Sequence, residues 1–213
     1  MKNKLWTFGD SHTAGHGCTK GFEYYNEYKK EGDEIWPVLL ANELELSLTN
    51  LGENGSSNDM IFDKVIQYYK FFNEGDIVII GQTYTHRFDI PIIKDNEKKL
   101  CAVYWDWSNK ALEDTLNQYS NEQKETITNF QYYFMNDNLY EIRWIRRFNW
   151  IKIILDKIGC KCIVWDVKNE LTGIETIKDA SSGKIDDGHI SFNGHKQFME
   201  KIYQKNWGAK KIL

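Results

Sequence analysis

The sequence predicts an α/β fold, arranged as a three-layer α/β/α sandwich around a mainly parallel sheet. Strand-like and helix-like patterns alternate from one end of the chain to the other, as this class of domain requires. The run 77–80, Ile-Val-Ile-Ile, is apolar throughout, which is typical of a parallel strand buried on both faces. A length of 213 residues suits one domain, 1–213, better than two.

The first half of the chain supplies three strands and two helices. Lys4–Phe8 is predicted as the first strand, and residues 46–51 as the second. A helix is predicted over 35–46, because Pro37 lies near its start, where a missing N–H is harmless. Ser56 or Ser57 can cap the next helix, which precedes the strand at 77–80. Its apolar side chains keep helical spacing: Ile61, Val65, Tyr68 and Phe72.

The second half of the chain supplies two helices and one strand. A long helix is predicted over Asp137–Ile158, with Gly159 ending it. Residues 160–167 are predicted as a strand, and a last helix is predicted over about 192–205. One apolar stripe is expected along the long helix: Ile142, Ile145, Phe148, Ile151 and Leu155.

Residues 84–136 form an irregular, polar and aromatic-rich insertion in this alternation. Three interpretations are open. The aromatic rings can stack on sugar faces as a lid or platform, can pack the insertion onto the domain as a small core, or can form a homo-oligomer interface. The rings concerned are Tyr104, Trp105, Trp107, Tyr119, Phe130, Tyr132, Tyr133 and Phe134.

Composition excludes several classes of protein. A net charge of −4 and a pI near 5.8 argue against binding nucleic acid by phosphate neutralisation. No apolar run approaches the roughly 20 residues that span a bilayer. The first residues lack the apolar core of a secretory signal. We therefore expect a cytoplasmic protein with no nucleic-acid or membrane partner.

The cysteines and the spaced histidines do not predict a metal site. The four cysteines are irregularly spaced, so we expect free thiols. His12 and His16 would chelate a metal only on a helix, and Gly15 and Gly17 argue against a helix there. We expect no metal and no cofactor.

A serine, a histidine and an aspartate carry the predicted chemistry. A hydroxyl nucleophile needs a base to take its proton and a third group to orient that base. Ser11 follows the first strand, and Asp186 lies three residues before His189. Gly55 and Thr83 also follow predicted strands, and carboxyl ends of parallel strands share one edge of a sheet. We expect these residues to meet there.

The order of these motifs resembles the SGNH (GDSL-type) hydrolase family. Residues 9–13 (Gly-Asp-Ser-His-Thr) resemble its first block, with His12 where the family name has Leu. Residues 50–56 resemble its Asn-x-Gly-x-x-Gly block, and residues 186–189 its Asp-x-x-His block. The resemblance implies the SGNH fold with a flavodoxin-like sheet over nearly the whole chain, apart from the insertion.

The third block departs from the family pattern of Gly-x-Asn-Asp. Residues 81–84 are Gly-Gln-Thr-Tyr, so Thr83 stands where the family has an oxyanion-binding Asn. A threonine hydroxyl can donate one hydrogen bond, but its direction differs from that of an amide. Asn58 and Asn54 are candidate substitutes, although each suits a cap or a turn better.

The resemblance implies a role for each site residue. Ser11 is the nucleophile, His189 the base and Asp186 the orienting acid, with Asp187 as a competitor. The N–H groups of Ser11 and Gly55 bind the oxyanion, with Thr83 as a third donor.

Residues outside this set have lesser expected roles. Asp10 is expected to shape the turn before Ser11, and His195 to be structural or at the surface. His86 and Arg87 are expected near the pocket. For Arg87, binding a substrate carboxylate and forming a local salt bridge are both open.

The predicted function is that of a carboxylic-ester hydrolase. It is a serine esterase acting on a small acyl ester, with O-deacetylation of a carbohydrate as the favoured substrate class. One alternative is a lysophospholipase or thioesterase with the same triad. Another is a non-catalytic carbohydrate-binding or structural module that keeps the fold.

Overall fold

Four parallel strands form the central sheet of the computed structural model, which describes residues 3–84, 87–94, 97–104, 120–134, 137–181 and 188–208. In chain order these strands are β1 (Lys4–Phe8), β2 (Ser47–Asn50), β3 (Ile77–Gln82) and β6 (Lys161–Asp166). Their order across the sheet is β2-β1-β3-β6, so β1 and β3 are central. This is the first part of a doubly wound strand order.

An antiparallel hairpin and a series of helices complete the described structure. The hairpin strands are β4 (Arg87–Lys94) and β5 (Glu97–Tyr104). The helices are α1 (Ser11–Ala14), α2 (Glu23–Tyr28), α3 (Trp36–Glu43), α4 (Asn58–Tyr68), α5 (Asn121–Phe134), α6 (Asp137–Ile158), α7 (Val167–Glu170), α8 (Ile177–Ala180) and α9 (Phe192–Trp207). A short 3₁₀ turn, Tyr69–Phe71, extends α4.

Helices cover both faces of the sheet, which confirms the predicted three-layer α/β/α architecture. Alternation along β3 sends Val78 and Ile80 to one face and Ile77 and Ile79 to the other. The first face packs against α4 and α6, and the second against α3 and α9. Burial on both faces explains the continuous apolar run of β3.

The apolar stripe of α6 differs from the prediction. Phe148, Ile151 and Leu155 are buried as expected, but Ile142 and Ile145 are about half exposed. Trp144 is fully buried instead. At 100° per residue, positions 144, 148, 151 and 155 lie within about 60° of one another, whereas 142 and 145 lie roughly 100–160° away from Trp144. The helix therefore carries apolar residues on two faces, and only one of them meets the sheet.

The insertion contains regular structure that the sequence pattern did not predict. The hairpin β4–β5 and all of α5 lie within residues 84–136, and β4 packs against α4. The aromatic side chains that define the insertion lie outside the described residues and side chains, so its three interpretations stay predictions.

Among the described side chains, Cys18, Cys160 and Cys162 form no disulfide bond. Cys160 and Cys162 lie two residues apart and contact the same core. Burial raises the pKa of the Cys160 thiol to about 11 and that of the Cys162 thiol to about 12. Both thiols therefore remain protonated and unreactive at neutral pH. Within the described ranges, no helix combines the length and apolar character needed to cross a membrane.

Candidate active site

Ser11 lies at the carboxyl end of the central strand β1, on the first residue of α1. Asp10 caps this short helix, because its Oδ1 accepts a hydrogen bond of 3.0 Å from the His12 N–H. Gly9 is required by close packing: a Cβ at this position would lie 2.1 Å from Thr13 Oγ1. The Gly-Asp-Ser sequence thus makes a tight turn that holds the Ser11 hydroxyl at the edge of the sheet.

Ser11 and His189 form a direct hydrogen-bonding pair across 178 positions of sequence. Ser11 Oγ lies 2.9 Å from His189 Nε2, which is hydrogen-bond distance for a nucleophile and its base. The Ile177 N–H donates to the His189 carbonyl at 2.8 Å, and Ile190 forms an antiparallel β-bridge with Thr176. These backbone bonds fix the chain around the histidine. The predicted nucleophile and base are therefore placed together by the fold.

Asp186 and Asp187, the two candidates for the acid that orients His189, lie outside the described residues. His86 lies outside them as well. Their predicted roles stay predictions, and Ser11 and His189 are the members of the predicted triad that the structure describes.

Two further histidines, His12 and His16, lie beside His189, and neither was predicted to contact it. The ring of His16 lies 4.3 Å from that of His189 between centroids, and the ring of His12 lies 5.2 Å away. The ring of Phe22 also contacts that of His16, with 4.4 Å between centroids. These rings restrict how the His189 imidazole can rotate. The described residues contain no group of three or more His, Cys, Asp or Glu side chains arranged to hold a metal.

The loop after β2 packs closely against the turn that carries Ser11. Asn50 accepts hydrogen bonds from Thr7 Oγ1 and from the Gly52 N–H, and it donates to the Thr13 carbonyl at 3.0 Å. A Cβ on Gly52 would lie 2.6 Å from the backbone N of Ala14, so only glycine fits there. The Asn and the first Gly of the Asn-x-Gly pattern thus join two loops.

Gly55, the second glycine of the Asn-x-Gly-x-x-Gly pattern, has the left-handed φ of +78° that favours glycine. Nothing lies within 4 Å of the position its Cβ would occupy, so this part of the loop borders open space. This side of Gly55 is therefore open, and the same loop packs against the Ser11 turn through Asn50 and Gly52.

Thr83 is buried at the end of β3, but its hydroxyl is used within the protein. Thr83 Oγ1 donates to Asp10 Oδ2 at 2.6 Å and accepts from Arg87 Nη1 at 2.9 Å. A hydroxyl has one hydrogen, and here that hydrogen goes to Asp10. In this arrangement Thr83 is not available as the third oxyanion donor that the resemblance implied.

Asn58 and Asn54 are the two candidates to replace the oxyanion-binding asparagine, and neither has its side chain in a clear position to do so. The Asn58 side chain donates to the Thr83 carbonyl at 2.9 Å and accepts from the Thr83 N–H at 2.8 Å. Both ends of its buried amide therefore hold the backbone of Thr83. Asn54 is exposed on the loop after β2.

Arg87 forms a buried salt bridge with Asp10, with Nη1 at 2.9 Å from Oδ2. This supports the local salt bridge over the carboxylate-binding role that the sequence left open. Asp10 combines two functions, since one of its oxygens caps α1 and the other accepts from Thr83 and Arg87. Its place in the turn before Ser11 is as expected, but its pairing with Arg87 was not predicted.

His195 is a buried residue of α9 that is linked to the site through Trp36 of α3. The Trp36 N–H donates to His195 Nδ1 at 3.3 Å, and Trp36 Nε1 donates to the His12 carbonyl at 3.1 Å. Because Nδ1 accepts, the hydrogen of the neutral ring is on Nε2. Burial, with a smaller contribution from His12, lowers the pKa of His195 from 6.5 to about 3.

This low pKa predicts a loss of stability in acid. The unfolded chain binds a proton at His195 below about pH 6.5, whereas the folded chain does so only near pH 3. The stabilisation is therefore complete above pH 6.5 and declines as the pH falls. Between pH 7.5 and pH 4.5 this histidine should cost about 2–3 kcal/mol in the free energy of unfolding.

Urea unfolding of the wild type and of His195→Gln at both pH values measures this loss. Glutamine can accept from the Trp36 N–H but does not titrate. We expect the variant to be less stable at pH 7.5 and to lose about 2–3 kcal/mol less on acidification. An equal loss in both proteins would contradict a neutral, buried His195.

A comparison with solved structures finds weak similarities that extend over nearly the full length of the chain. The chain is similar to the solved structure of a protein assigned to the lipolytic G-D-S-L family from Desulfitobacterium hafniense. The two sequences are 14% identical, the match covers 95% of this chain and 98% of that chain, and the TM-score is 0.38. A second is an α/β-hydrolase enzyme from the Lake Arreo metagenome, with 14% identity, coverage of 98% and 97%, and a TM-score of 0.38.

A third is a member of the lipolytic G-D-S-L family from Veillonella parvula, with 13% identity, coverage of 97% and 99%, and a TM-score of 0.33. No protein-family model matches the chain. No curated protein matches it either. At these identities and TM-scores, function has to be inferred from the geometry of the site.

Proposed function

We propose that this protein is a serine esterase that hydrolyses a small acyl ester through an acyl-serine intermediate. The observation that carries the proposal is the 2.9 Å separation of Ser11 Oγ and His189 Nε2 at the carboxyl edge of the parallel sheet. A hydroxyl in contact with an imidazole is the arrangement needed for nucleophilic acyl transfer. Their convergence from the two ends of the chain is far more specific than either residue alone.

The first half of the reaction acylates the enzyme. Ser11 Oγ attacks the ester carbonyl while its proton moves to His189 Nε2. The N–H groups of Ser11 and Gly55 donate to the oxyanion that develops, and Asp186 orients the imidazole. The C–O bond to the alcohol then breaks, and His189 gives its proton to the leaving alkoxide.

The second half regenerates the serine. Water attacks the acyl-serine carbonyl while His189 takes one of its protons. The bond to Ser11 Oγ then breaks, and the proton returns from His189 to the serine. The products are one alcohol and one carboxylic acid for each ester and water consumed. Ring contacts from His12 and His16 keep His189 in position through both halves.

O-deacetylation of a carbohydrate is the substrate class that we favour. The resemblance of the sequence blocks supports it, as does the aromatic composition of the insertion. A short acyl group needs only a small space beside Ser11, whereas a long chain needs a continuous apolar groove.

Hydrolysis of p-nitrophenyl esters of increasing acyl length tests the proposal. We expect kcat/KM for the acetate to exceed that for the octanoate by at least about tenfold. Each methylene group that a pocket accepts or rejects changes the free energy of the transition state by about 1–3 kcal/mol. The reverse order would support the lysophospholipase or thioesterase alternative. No hydrolysis of any ester, together with no labelling of the folded protein by a fluorophosphonate, would contradict the esterase.

A non-catalytic carbohydrate-binding module is the second candidate, and one cavity favours it. A cavity of about 350 Å³ lies beside the start of α9, lined by aromatic and charged side chains. Tyr24 and Phe192 are buried in a small core, whereas Tyr28 is half-buried and stacks on Tyr24 at 4.9 Å, so Tyr28 is the ring of this lining that a sugar can reach. Binding of oligosaccharides without ester hydrolysis would favour this module over the esterase.

A further inference from the structure

One guanidinium contacts all three loops that follow β1, β2 and β3. Arg87 Nη1 lies 2.9 Å from Asp10 Oδ2, 2.9 Å from Thr83 Oγ1 and 3.2 Å from the Ser56 carbonyl. Asp10 directly precedes Ser11, and Ser56 directly follows Gly55. Arg87 is therefore one residue away from each of the two proposed oxyanion donors.

This contact is buried and its charges are balanced. Only 7% of the Arg87 side chain and 1% of the Asp10 side chain are exposed. A buried carboxylate without a cation is strongly unfavourable, so Asp10 depends on Arg87. Tyr84 contributes a ring 5.4 Å from the guanidinium carbon. Arginine suits this place better than lysine, because its planar head presents several donors in fixed directions.

We infer that Arg87 is a positioning residue of the proposed esterase, which fixes the Ser11 turn against the Gly55 loop. The inference rests on the proposed function. Where the resembled family has an asparagine, Thr83 takes part in a buried cluster with Asp10 and Arg87 and does not face the oxyanion. The two backbone donors then act without a side-chain amide, and their separation is set by the guanidinium that ties their loops together. A shift of about 1 Å between such groups can cost on the order of 10² in rate.

The test compares Arg87→Met with the wild type in two measurements. The first is amide hydrogen exchange, read by mass spectrometry over residues 9–14 and 52–57. The second is the kinetics of p-nitrophenyl acetate hydrolysis. We expect faster exchange in both loops, and kcat lower by roughly 10²-fold with KM changed less than about threefold, because the lost interaction positions groups that act in the transition state.

Two further variants separate positioning from general damage. Lys201→Met removes the ion pair between Lys201 and Glu170. In the described part of the chain this pair contacts none of the three loops, so both measurements should be unchanged. The double variant Asp10→Asn with Arg87→Met removes the uncompensated carboxylate. Its kcat should exceed that of Arg87→Met alone by at least about threefold, because charge balance is restored near the oxyanion.

Exchange that rises only in β4, or in neither loop, would overturn the inference. A kcat for Arg87→Met within threefold of the wild type would overturn it as well. If the wild type hydrolyses no ester, the proposed esterase fails, and the exchange of the two loops still decides whether Arg87 holds them together.

Discussion

Replacing Ser11 with alanine should lower kcat for p-nitrophenyl acetate by roughly 10⁴–10⁶-fold, the range in which loss of a serine nucleophile falls in triad hydrolases. The Ser11 hydroxyl is the group that contacts His189 Nε2, and alanine retains the backbone N–H that binds the oxyanion. The variant should fold like the wild type, since it loses one oxygen at the start of a short helix. Labelling by a fluorophosphonate should disappear.

Ser47→Ala is the matched control, because Ser47 is exposed at the start of β2. It should retain wild-type kinetics and labelling. Mass spectrometry of the labelled wild type should place the phosphonate on the peptide that contains Ser11. Labelling of a different serine, or hydrolysis that persists in Ser11→Ala, would rule out Ser11 as the nucleophile.

His189→Gln should lower kcat by roughly 10³–10⁵-fold, since an amide cannot take the serine proton at any pH used for enzymes. Glutamine has a length and polarity that keep a hydrogen bond to Ser11 feasible, so the variant tests basicity more than packing. The measurement is kcat across pH 6–9 with p-nitrophenyl acetate. The remaining rate of the variant should rise with hydroxide concentration, because no side chain then supplies the base.

His16→Gln separates the base from its neighbours. The His16 ring touches the His189 ring, whereas the His16 backbone N–H donates to the Ser11 carbonyl at 2.9 Å, a bond that a glutamine at this position retains. Its replacement should cost less than about tenfold, through looser orientation of His189. If His16→Gln and His189→Gln lost activity equally, the assignment of His189 as the base would be untenable.

The elements of the fold were largely predictable because their signals are local. Pro37 near a helix start, the Ser57 cap and the apolar run of β3 each depend on nearby residues. The failure at α6 has a local reason too. Ile142, Ile145 and Trp144 are all apolar, and a helix with apolar residues on two faces does not reveal which face meets the sheet.

The insertion was not predictable for a related reason. A hairpin whose strands mix charged and apolar residues does not alternate cleanly, so β4 and β5 gave no strand signal. Arg87, the first residue of the hairpin, is nonetheless the one that contacts the site. Arginine near a strand end is common, and only the distance to Asp10 distinguishes a structural ion pair from a substrate contact.

The sequence by itself determined the types of group available for chemistry and their order. A hydroxyl after the first strand, glycines after the second and a histidine near the end follow from residue identity and from the rule that carboxyl ends of parallel strands share an edge. The tertiary structure alone decided which groups touch. It brought His189 to Ser11, surrounded that ring with two more imidazoles, and turned the Thr83 hydroxyl toward Asp10. Contacts between residues far apart in the chain depend on the packing of whole layers, which residue spacing does not encode.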